Sequence, residues 1–213
     1  MEIPRSGVAS GADGLVRCWW SVGDPDYERY HDREWGRPVV EDDALFEKIC
    51  LEGFQSGLSW LTILRKRDNF RKAFKGFDIG AVARFNSRSV ERLLTDAGIV
   101  RHRGKIESTI NNARRALEVI EERGSLASYL WSYAPEVGSG PKKLDWPTLV
   151  ARGSHENAVA LGKDLKRRGW SYVGPTTVYA FMEAVGFVND HMSRCAQREE
   201  IAAERSRFHP PGR

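Results

Sequence analysis

The sequence predicts an all-α fold for this chain of 213 residues. Apolar residues recur at intervals of three and four along most of its length, and no segment shows the sustained period-two alternation of a half-buried strand. The clearest stripe consists of Ile106, Ile110, Ala113, Leu117 and Ile120. It is followed by a glycine, Gly124, which is typical of a helix end. We therefore expect packed helices, which could form two lobes with a cleft between them.

The first half of the chain carries a series of helix-start signals. Residues 1–16 are rich in Gly, Ala and Ser and predict a flexible amino-terminal tail. Asp42 and Asp43 are placed to cap a helix that runs to Leu51, and Ser59 opens the next helix.

Further helix boundaries follow in the same way. Asp78 and Ser87 stand at helix starts. Gly98 lies where a helix ending near Asp96 would need a left-handed cap. Another helix is expected to begin near Arg103 or Gly104.

The second half predicts helices near 125–133, over 154–169 with Ser154 as its cap, and over 175–186. The stretch from Pro135 to Gly153 contains three prolines and three glycines, which predicts a long loop. We expect one helical domain over 17–196 and a carboxyl-terminal tail over 197–213.

Composition limits the classes of protein that the chain can belong to. It is 41% hydrophobic and 29% charged, which is typical of a soluble globular protein. Its apolar runs are too short to cross a membrane, and its first residues lack an apolar signal core. Three cysteines give no disulfide framework, so we expect the protein in the cytoplasm. A monomer is expected for a chain of this size. The net charge of +4 permits a nucleic-acid partner without requiring one.

Two cysteines and two histidines stand near the two ends of the chain: Cys18, His31, His191 and Cys195. Two sulfurs and two imidazoles make a closed tetrahedral set for a structural Zn²⁺, and a helix would point His191 and Cys195 at one spot. The spacing alone leaves two alternatives open. The cysteines could be ordinary small apolar residues, or they could form a disulfide.

Aromatic residues are concentrated near the amino terminus: Trp19, Trp20, Tyr27, Tyr30 and Trp35, followed by Phe54 and Trp60. These rings could simply fill a core. Glu52 stands among apolar residues and beside Gly53, an arrangement that suits a bend aiming an acid into a pocket. Because a lone buried carboxylate is costly, Glu52 is either exposed or faces a cationic or donor-rich ligand.

A basic segment separates two of the predicted helices. The stretch 96–105 contains Arg101, His102, Arg103 and Lys105 around a short hairpin. Loop amides and the next helix's amino terminus would bind an anion such as a DNA phosphate. The alternative is a solvated charge run. Val100 stands where the general helix-hairpin-helix motif has a second glycine.

Four blocks in this order resemble the bacterial 3-methyladenine DNA glycosylase I family, a zinc-containing branch of the helix-hairpin-helix DNA glycosylases. The blocks are 30–38 (YHDREWGRP), 51–60 (LEGFQSGLSW), 96–105 (DAGIVRHRGK) and 173–191, from VGPTT to VNDH. The resemblance covers residues 17–195. It implies monofunctional excision of 3-methyladenine from alkylated double-stranded DNA by base flipping, with one structural Zn²⁺ joining the two ends of the chain.

The resemblance also implies a role for each matching residue. Trp20 and Trp60 would enclose the flipped base, and Tyr30 and Glu52 would hydrogen-bond its edge, with Tyr27 nearby. We expect Glu52 to stay ionised. Gln55 and Leu58 would fill the gap in the base stack. The helix-hairpin-helix near 91–122 would grip the DNA backbone through Gly98, Val100, Arg101, Arg103 and Lys105.

Two other functions stay open at this point. The chain could be a zinc-containing DNA-binding module without activity, although the intact Glu52, Tyr30 and Trp60 argue against an eroded pocket. A zinc base deaminase also flips bases, but the sequence lacks the His-x-Glu and Pro-Cys-x-x-Cys that this class needs.

Overall fold

The computed structural model describes residues 3–153 and 155–212. Within these ranges the chain is mostly helical, and its single sheet has two short strands. The prediction of an essentially all-α fold is confirmed at this level. No described helix is both long enough and apolar enough to cross a membrane.

Residues 3–16 form defined structure, contrary to the predicted flexible tail over 1–16. Strand β1 (Val8–Ser10) pairs antiparallel with β2 (Val16–Cys18), with Val8 opposite Cys18. The Trp146 amide donates to the Arg5 carbonyl over 3.2 Å, which fastens the segment to the second half of the chain. Three-residue strands of this kind leave too short an alternation to be read from sequence.

Eleven α-helices lie within the described residues. Their bounds are α1 (Pro25–Arg33), α2 (Asp42–Gln55), α3 (Trp60–Ala73), α4 (Ile79–Ala83), α5 (Ser87–Thr95), α6 (Arg103–Arg123), α7 (Leu126–Trp131), α8 (Trp146–Arg152), α9 (Glu156–Arg167), α10 (Pro175–Ala184) and α11 (Arg198–Arg207). Three helices are additions to the prediction. Helix α1 is capped by Asp24, α8 is capped by Asp145 at the end of the predicted loop 135–153, and α11 lies in the predicted carboxyl-terminal tail.

Several predicted caps act differently from the expectation. Asp42 and Asp43 both lie inside the first turn of α2, and they cap other helices. Asp42 accepts the Leu126 and Ala127 amides at the start of α7. Asp43 accepts the Ile79 amide at the start of α4. Their carboxylates therefore tie three helix starts together, a long-range pairing that local sequence does not reveal.

Other caps follow the pattern more closely. Ser59 and Asp78 cap α3 and α4 as predicted. Helix α5 begins at Ser87, but the preceding Asn86 supplies the capping side chain. The predicted cap Ser154 lies outside the described residues.

The carboxyl-terminal segment is also ordered, in place of the predicted tail over 197–213. It forms α11, in which Ile201 is fully buried. The Arg205 guanidinium donates to the Gly186 and Phe187 carbonyls, and the Phe208 ring packs 4.6 Å from the Trp131 ring. Helix α11 has few apolar residues, so the sequence pattern did not predict that it packs against the rest of the protein.

Helices α2 and α6 lie at the centre of the fold. Helix α2 packs against α3, α6 and α10, and α6 packs against α4, α5 and α7. A group of packed phenylalanine rings supports α2 and α3: Phe46, Phe54, Phe70, Phe74 and Phe77, all buried. The end of α2 is joined to the first turn of α6, where the Lys105 ammonium donates to the Phe54 carbonyl.

Candidate functional site

Three of the four predicted metal ligands converge. The Sγ atoms of Cys18 and Cys195 and a ring nitrogen of His31 all lie within 4.8 Å of one another. All three side chains are buried, at the end of β2, on α1 and between α10 and α11. Two thiols and an imidazole are donors that suit Zn²⁺, so this group could hold a metal ion.

His191 lies beside this group, and one of its ring nitrogens is available as a metal ligand. Its ring centre is 5.0 Å from that of His31. Its Nε2 atom is buried and has no hydrogen-bond partner in the described structure, which is costly unless another group binds it. Burial lowers the pKa of His191 to about 3, so its ring is neutral, as a metal ligand must be.

Hydrogen bonds orient both imidazoles. His31 Nδ1 lies 2.8 Å from Asp32 Oδ1, and His191 Nδ1 lies 3.0 Å from Asn189 Oδ1. Each contact favours the tautomer with its proton on Nδ1, which leaves Nε2 able to accept a metal. The buried Arg17 in turn holds Asp32 through its Nε atom at 3.0 Å.

The backbone that carries His191 and Cys195 differs from the prediction, which placed both residues on one helix. Neither residue is on a helix, because α10 ends at Ala184 and α11 begins at Arg198. The connecting segment is held instead by tertiary bonds. The Met192 amide contacts Cys18 Sγ at 3.5 Å, and the Ser193 amide donates to the Leu144 carbonyl over 2.8 Å.

A cavity of about 240 Å³ lies next to this group. Its walls come from distant parts of the chain: Trp20, Tyr27, Tyr30, Trp35, Glu52, Gln55, Trp60, Leu149, Ala180, Glu183, Asp190 and Met192. Trp35 links the two features, since its ring packs 4.5 Å from the His191 ring. The structure thus brings Trp20, Tyr27, Tyr30, Trp60 and Glu52 to one cavity, together with Gln55, which was expected at the gap in the base stack.

The rings around the cavity brace one another. Trp20 meets Tyr27 edge-on at 5.4 Å and Trp35 at 5.0 Å, and the Tyr30 ring lies 5.4 Å from Trp60. The Tyr27 hydroxyl accepts the Leu61 amide over 3.1 Å, so it also caps the start of α3. The aromatic walls are therefore held in place by their own contacts.

Glu52 is buried at the cavity, and its protonation differs from the expectation. Burial raises its pKa to about 8, although the Lys48 ammonium acts in the opposite direction. In the free protein at neutral pH the carboxyl group is therefore mostly neutral rather than ionised. In the described structure no hydrogen-bond donor contacts the Glu52 carboxyl group, so no hydrogen bond offsets the cost of burying its ionised form.

Two charged residues near Glu52 were missed by the sequence analysis. Lys48 lies one turn before Glu52 on α2, is buried, and has its ammonium 5.0 Å from the Tyr30 ring centre and 3.7 Å from Glu34 Oε2. The spacing of four residues on a predicted helix could have revealed it. Glu183, on α10, lines the cavity, and burial beside Asp190 raises its pKa well above the usual range. No local signal marks Glu183.

The segment between α2 and α3 protrudes. Residues 56–59 are exposed, and Gln55 at their base is half-buried at the cavity. Gly57 has a φ of 81°, which a residue with a side chain adopts only under strain. The Leu58 amide donates to the Gln55 carbonyl over 2.6 Å, closing a tight turn with the Leu58 side chain exposed.

The basic hairpin also lies at the surface. Residues 96–102 join α5 to α6, and Arg101, His102 and Arg103 are exposed. Arg103 is paired with Glu91 at 2.7 Å. The α6 start at Arg103 is as predicted.

Two predictions for the hairpin are corrected. Gly98 does not adopt a left-handed conformation. Glycine is needed there because a Cβ would lie 2.9 Å from Asp96 Oδ1 and 3.1 Å from Asn69. Lys105 is buried rather than available to a phosphate, and its ammonium donates to the carbonyls of Phe54, over 2.8 Å, and Ser56.

The chain is similar to known proteins over most of its length. The methyladenine glycosylase family model matches residues 19–199. The chain is 45% identical to DNA-3-methyladenine glycosylase 1 of Escherichia coli (strain K12) over 184 residues, which cover 85% of this chain and 96% of that protein. It is 39% identical to the Haemophilus influenzae DNA-3-methyladenine glycosylase over 183 residues, covering 84% of this chain and 96% of that protein.

Solved structures of 3-methyladenine DNA glycosylase I are also similar to this chain. A crystal structure of 3-methyladenine DNA glycosylase I superimposes with a TM-score of 0.76 and 44% identity, covering 84% of this chain and 98% of that one. A structure of 3-methyladenine DNA glycosylase I from Staphylococcus aureus, which describes its recognition of 3-methyladenine, superimposes with a TM-score of 0.78 and 36% identity. The match covers 85% of this chain and 96% of that one.

Proposed function

The chain belongs to the methyladenine glycosylase family, and on that premise we propose that it is a monofunctional DNA glycosylase that excises 3-methyladenine from alkylated DNA. The observation that carries the proposal is the cavity in which the buried Glu52 carboxyl group faces aromatic rings. Both curated relatives are named for this activity. The cavity of about 240 Å³ is of the order of a single base.

The cavity walls suit a cationic base. Methylation at N3 puts a positive charge on adenine and weakens the bond between base and sugar. The faces of Trp20 and Trp60 would attract that cation by about 0.5–2 kcal/mol each, and more where water is excluded. Neutral adenine would lose this attraction. Recognition then depends on the charge of the base rather than on its shape alone.

Glu52 would change its protonation state when the base enters. The carboxyl group is held neutral by burial in the free protein. A cation against it would favour the ionised form, which accepts a hydrogen bond from the exocyclic amine of the base. Loss of the Glu52 proton and binding of the cation therefore stabilise each other.

The chemical step needs little acid catalysis, because a cationic base is already a good leaving group. Hydrolysis adds the water hydroxyl at the sugar carbon, breaks the bond between base and sugar, and releases neutral 3-methyladenine and one proton, leaving an abasic site. No lysine is among the cavity-lining residues. This supports a hydrolytic, monofunctional reaction without a Schiff base.

The exposed segments supply the DNA interface. Base flipping costs roughly a few kcal/mol in lost stacking and pairing. We propose that Leu58 and Gln55 enter the gap, since Leu58 is exposed and Gln55 borders the cavity. The α5–hairpin–α6 unit would act as the helix-hairpin-helix, with Gly98, Val100 and Arg101 near the backbone phosphates and Arg103 at the helix start.

Zn²⁺ is the metal that best fits the group of cysteines and histidines. Cys18, His31 and Cys195 would hold it together with His191, whose buried Nε2 has no other partner. Four protein ligands leave no open position, so the ion would be structural and would tie β2 and α1 to the segment before α11. It would take no part in the reaction.

The expected setting follows from the same features. The three cysteines are free, which supports a reducing compartment such as the cytoplasm. We propose that the protein acts as a monomer on double-stranded DNA, since one chain supplies the cavity, the protruding segment and the hairpin.

The test is to incubate the purified protein with methylated duplex DNA and to identify the released bases by chromatography. Release of 3-methyladenine, with little 7-methylguanine, is expected. The Glu52→Gln variant should lose the activity, whereas the exposed Glu121→Gln should keep it. DNA binding without base release by the wild type would instead favour an inactive binding module.

A further inference from the structure

Lys105 connects the two exposed segments that face DNA in the proposed function. It is the third residue of α6, directly after the hairpin. Its side chain crosses to the end of α2, where the Nζ atom donates to the Phe54 carbonyl over 2.8 Å and to the Ser56 carbonyl. One residue therefore bonds the hairpin helix to the base of the protruding segment 56–59.

The location of the ammonium group has a clear physical basis. The last carbonyls of an α-helix have no partners within that helix, and their partial charges favour a cation. Phe54 and Ser56 lie at the end of α2, with Ser56 as its carboxyl-terminal cap. Lys105 is only 7% exposed and its bond to the Phe54 carbonyl is buried, so removal of the amine leaves that carbonyl without a partner.

The protruding segment is short, and Lys105 holds one of its ends. The segment begins at Ser56, turns at Gly57, and ends at Ser59, the cap of α3. The position of Leu58 relative to the hairpin thus depends on the bond between Lys105 and the Ser56 carbonyl. A shift of about 1 Å in such a segment is enough to reduce activity strongly.

We propose that Lys105 is a positioning residue that couples the hold of hairpin 96–102 on the DNA backbone to the insertion of Leu58 into the base stack. The inference rests on the proposed function. Lys105 contacts neither the base nor the phosphates. It keeps the inserting side chain at a set distance from the anchored backbone, so that docking of the hairpin and filling of the gap occur together.

The test compares Lys105→Met, which keeps the length of the side chain and removes the amine, with wild type in three measurements. The first is release of 3-methyladenine from methylated duplex DNA. The second is the fluorescence of 2-aminopurine placed next to an abasic-site analogue, which rises when a side chain unstacks the neighbouring base. The third is binding of free 3-methyladenine, followed by quenching of the cavity tryptophans.

Lys66→Met is the matched control. The Lys66 ammonium also donates to two carbonyls, those of Ala97, over 3.0 Å, and Gly98, over 3.3 Å. These bonds support the hairpin from α3 and do not reach segment 56–59. This variant should weaken DNA binding, while the 2-aminopurine signal of the saturated complex stays as in wild type.

For Lys105→Met we expect a loss of base release of about ten-fold or more and a lost 2-aminopurine signal at saturating DNA. Affinity for free 3-methyladenine should be unchanged. Lys105→Arg, which keeps two donors, should restore part of both signals. If the Met variant does not fold, Lys105→Gln allows the same comparison.

Three outcomes would overturn the coupling. They are an unchanged 2-aminopurine signal in Lys105→Met, an equal loss of that signal in Lys66→Met, and a loss of free-base binding in step with base release. Because wild-type base release is measured in parallel, failure of the proposed function is recognised separately.

Discussion

Lys48 and Glu52 lie one turn apart on α2, and both are buried beside Tyr30 without a hydrogen bond to each other. The Lys48 ammonium lowers the pKa of Glu52, but burial outweighs it and leaves that pKa at about 8. The site therefore combines a carboxyl group that is mostly protonated at neutral pH with a buried ammonium group whose charge does not suffice to ionise it. A cationic base changes this balance in favour of the carboxylate.

The raised pKa of Glu52 predicts a specific pH dependence of stability. Between its ordinary pKa of 4.5 and about 8, the folded protein holds a proton that the unfolded chain has lost. The free energy of unfolding should therefore fall as pH rises through this window. Glu52→Gln cannot ionise, so its stability should depend less on pH across this window. Each kcal/mol of unfolding free energy corresponds to about 2–4 °C in Tm. Thermal unfolding of the wild type and of Glu52→Gln from pH 5 to pH 8 measures the difference in pH dependence.

The matched control is Glu121→Gln, an exposed change on α6. Its Tm should follow that of the wild type across the whole range. Equal pH slopes for wild type and Glu52→Gln would contradict the raised pKa.

The metal group predicts one tightly bound Zn²⁺ per chain. Cys195→Ser and His191→Ala should both release the ion and lower Tm, because a buried ligand set that loses its metal also loses the tie between the two ends of the chain. Cys50→Ser is the control, since Cys50 is buried and free but is not part of the group. Metal analysis by mass spectrometry gives the stoichiometry. Unchanged zinc affinity in His191→Ala would exclude His191 as the fourth ligand.

Leu58→Ala should reduce base release from duplex DNA by about ten-fold while leaving Tm unchanged. The side chain is 42% exposed, so its truncation costs the folded protein little. Leu117→Ala, equally exposed on α6, should change neither quantity. A fall in Tm for Leu58→Ala, or equal activity for the two variants, would argue against a role in filling the gap.

Arg101→Ala should weaken DNA binding and reduce the steepness of its salt dependence. Each lost phosphate contact lowers the slope of log affinity against log salt by about 0.9. Arg123→Ala, an exposed arginine at the far end of α6, should leave that slope unchanged. Affinity for an abasic-analogue duplex, measured at several salt concentrations, compares the two. An unaltered slope for Arg101→Ala would place the phosphate contact elsewhere.

Much of the site could be predicted because its residues lie in short, dense motifs. Glu52, Gln55, Leu58 and Trp60 occupy a single block of nine residues, and the structure brings all but Leu58 to the cavity. The hairpin and the start of α6 were also predicted, because local signals mark them. The stripe on α6 was less accurate, since Leu117 is exposed while Ala116 and Val119 are buried.

Other features depend on contacts between distant residues. The strands β1 and β2 are too short to show a period, and α11 is held by the Arg205 bonds and Phe208 packing rather than by an apolar face. Glu183 and Glu52 line the same cavity only because α10 packs on α2.

The sequence by itself determined the helical class, the family, and the set of candidate site residues, because periodicity, caps and motif spacing are local properties of the chain. Only the tertiary structure decided how those groups behave. Burial without a hydrogen-bonded counterion makes Glu52 a neutral acid, and the open carbonyls at the end of α2 bind the Lys105 ammonium inside the protein. Desolvation and long-range hydrogen bonding arise from packing, so they cannot be read from the order of residues alone.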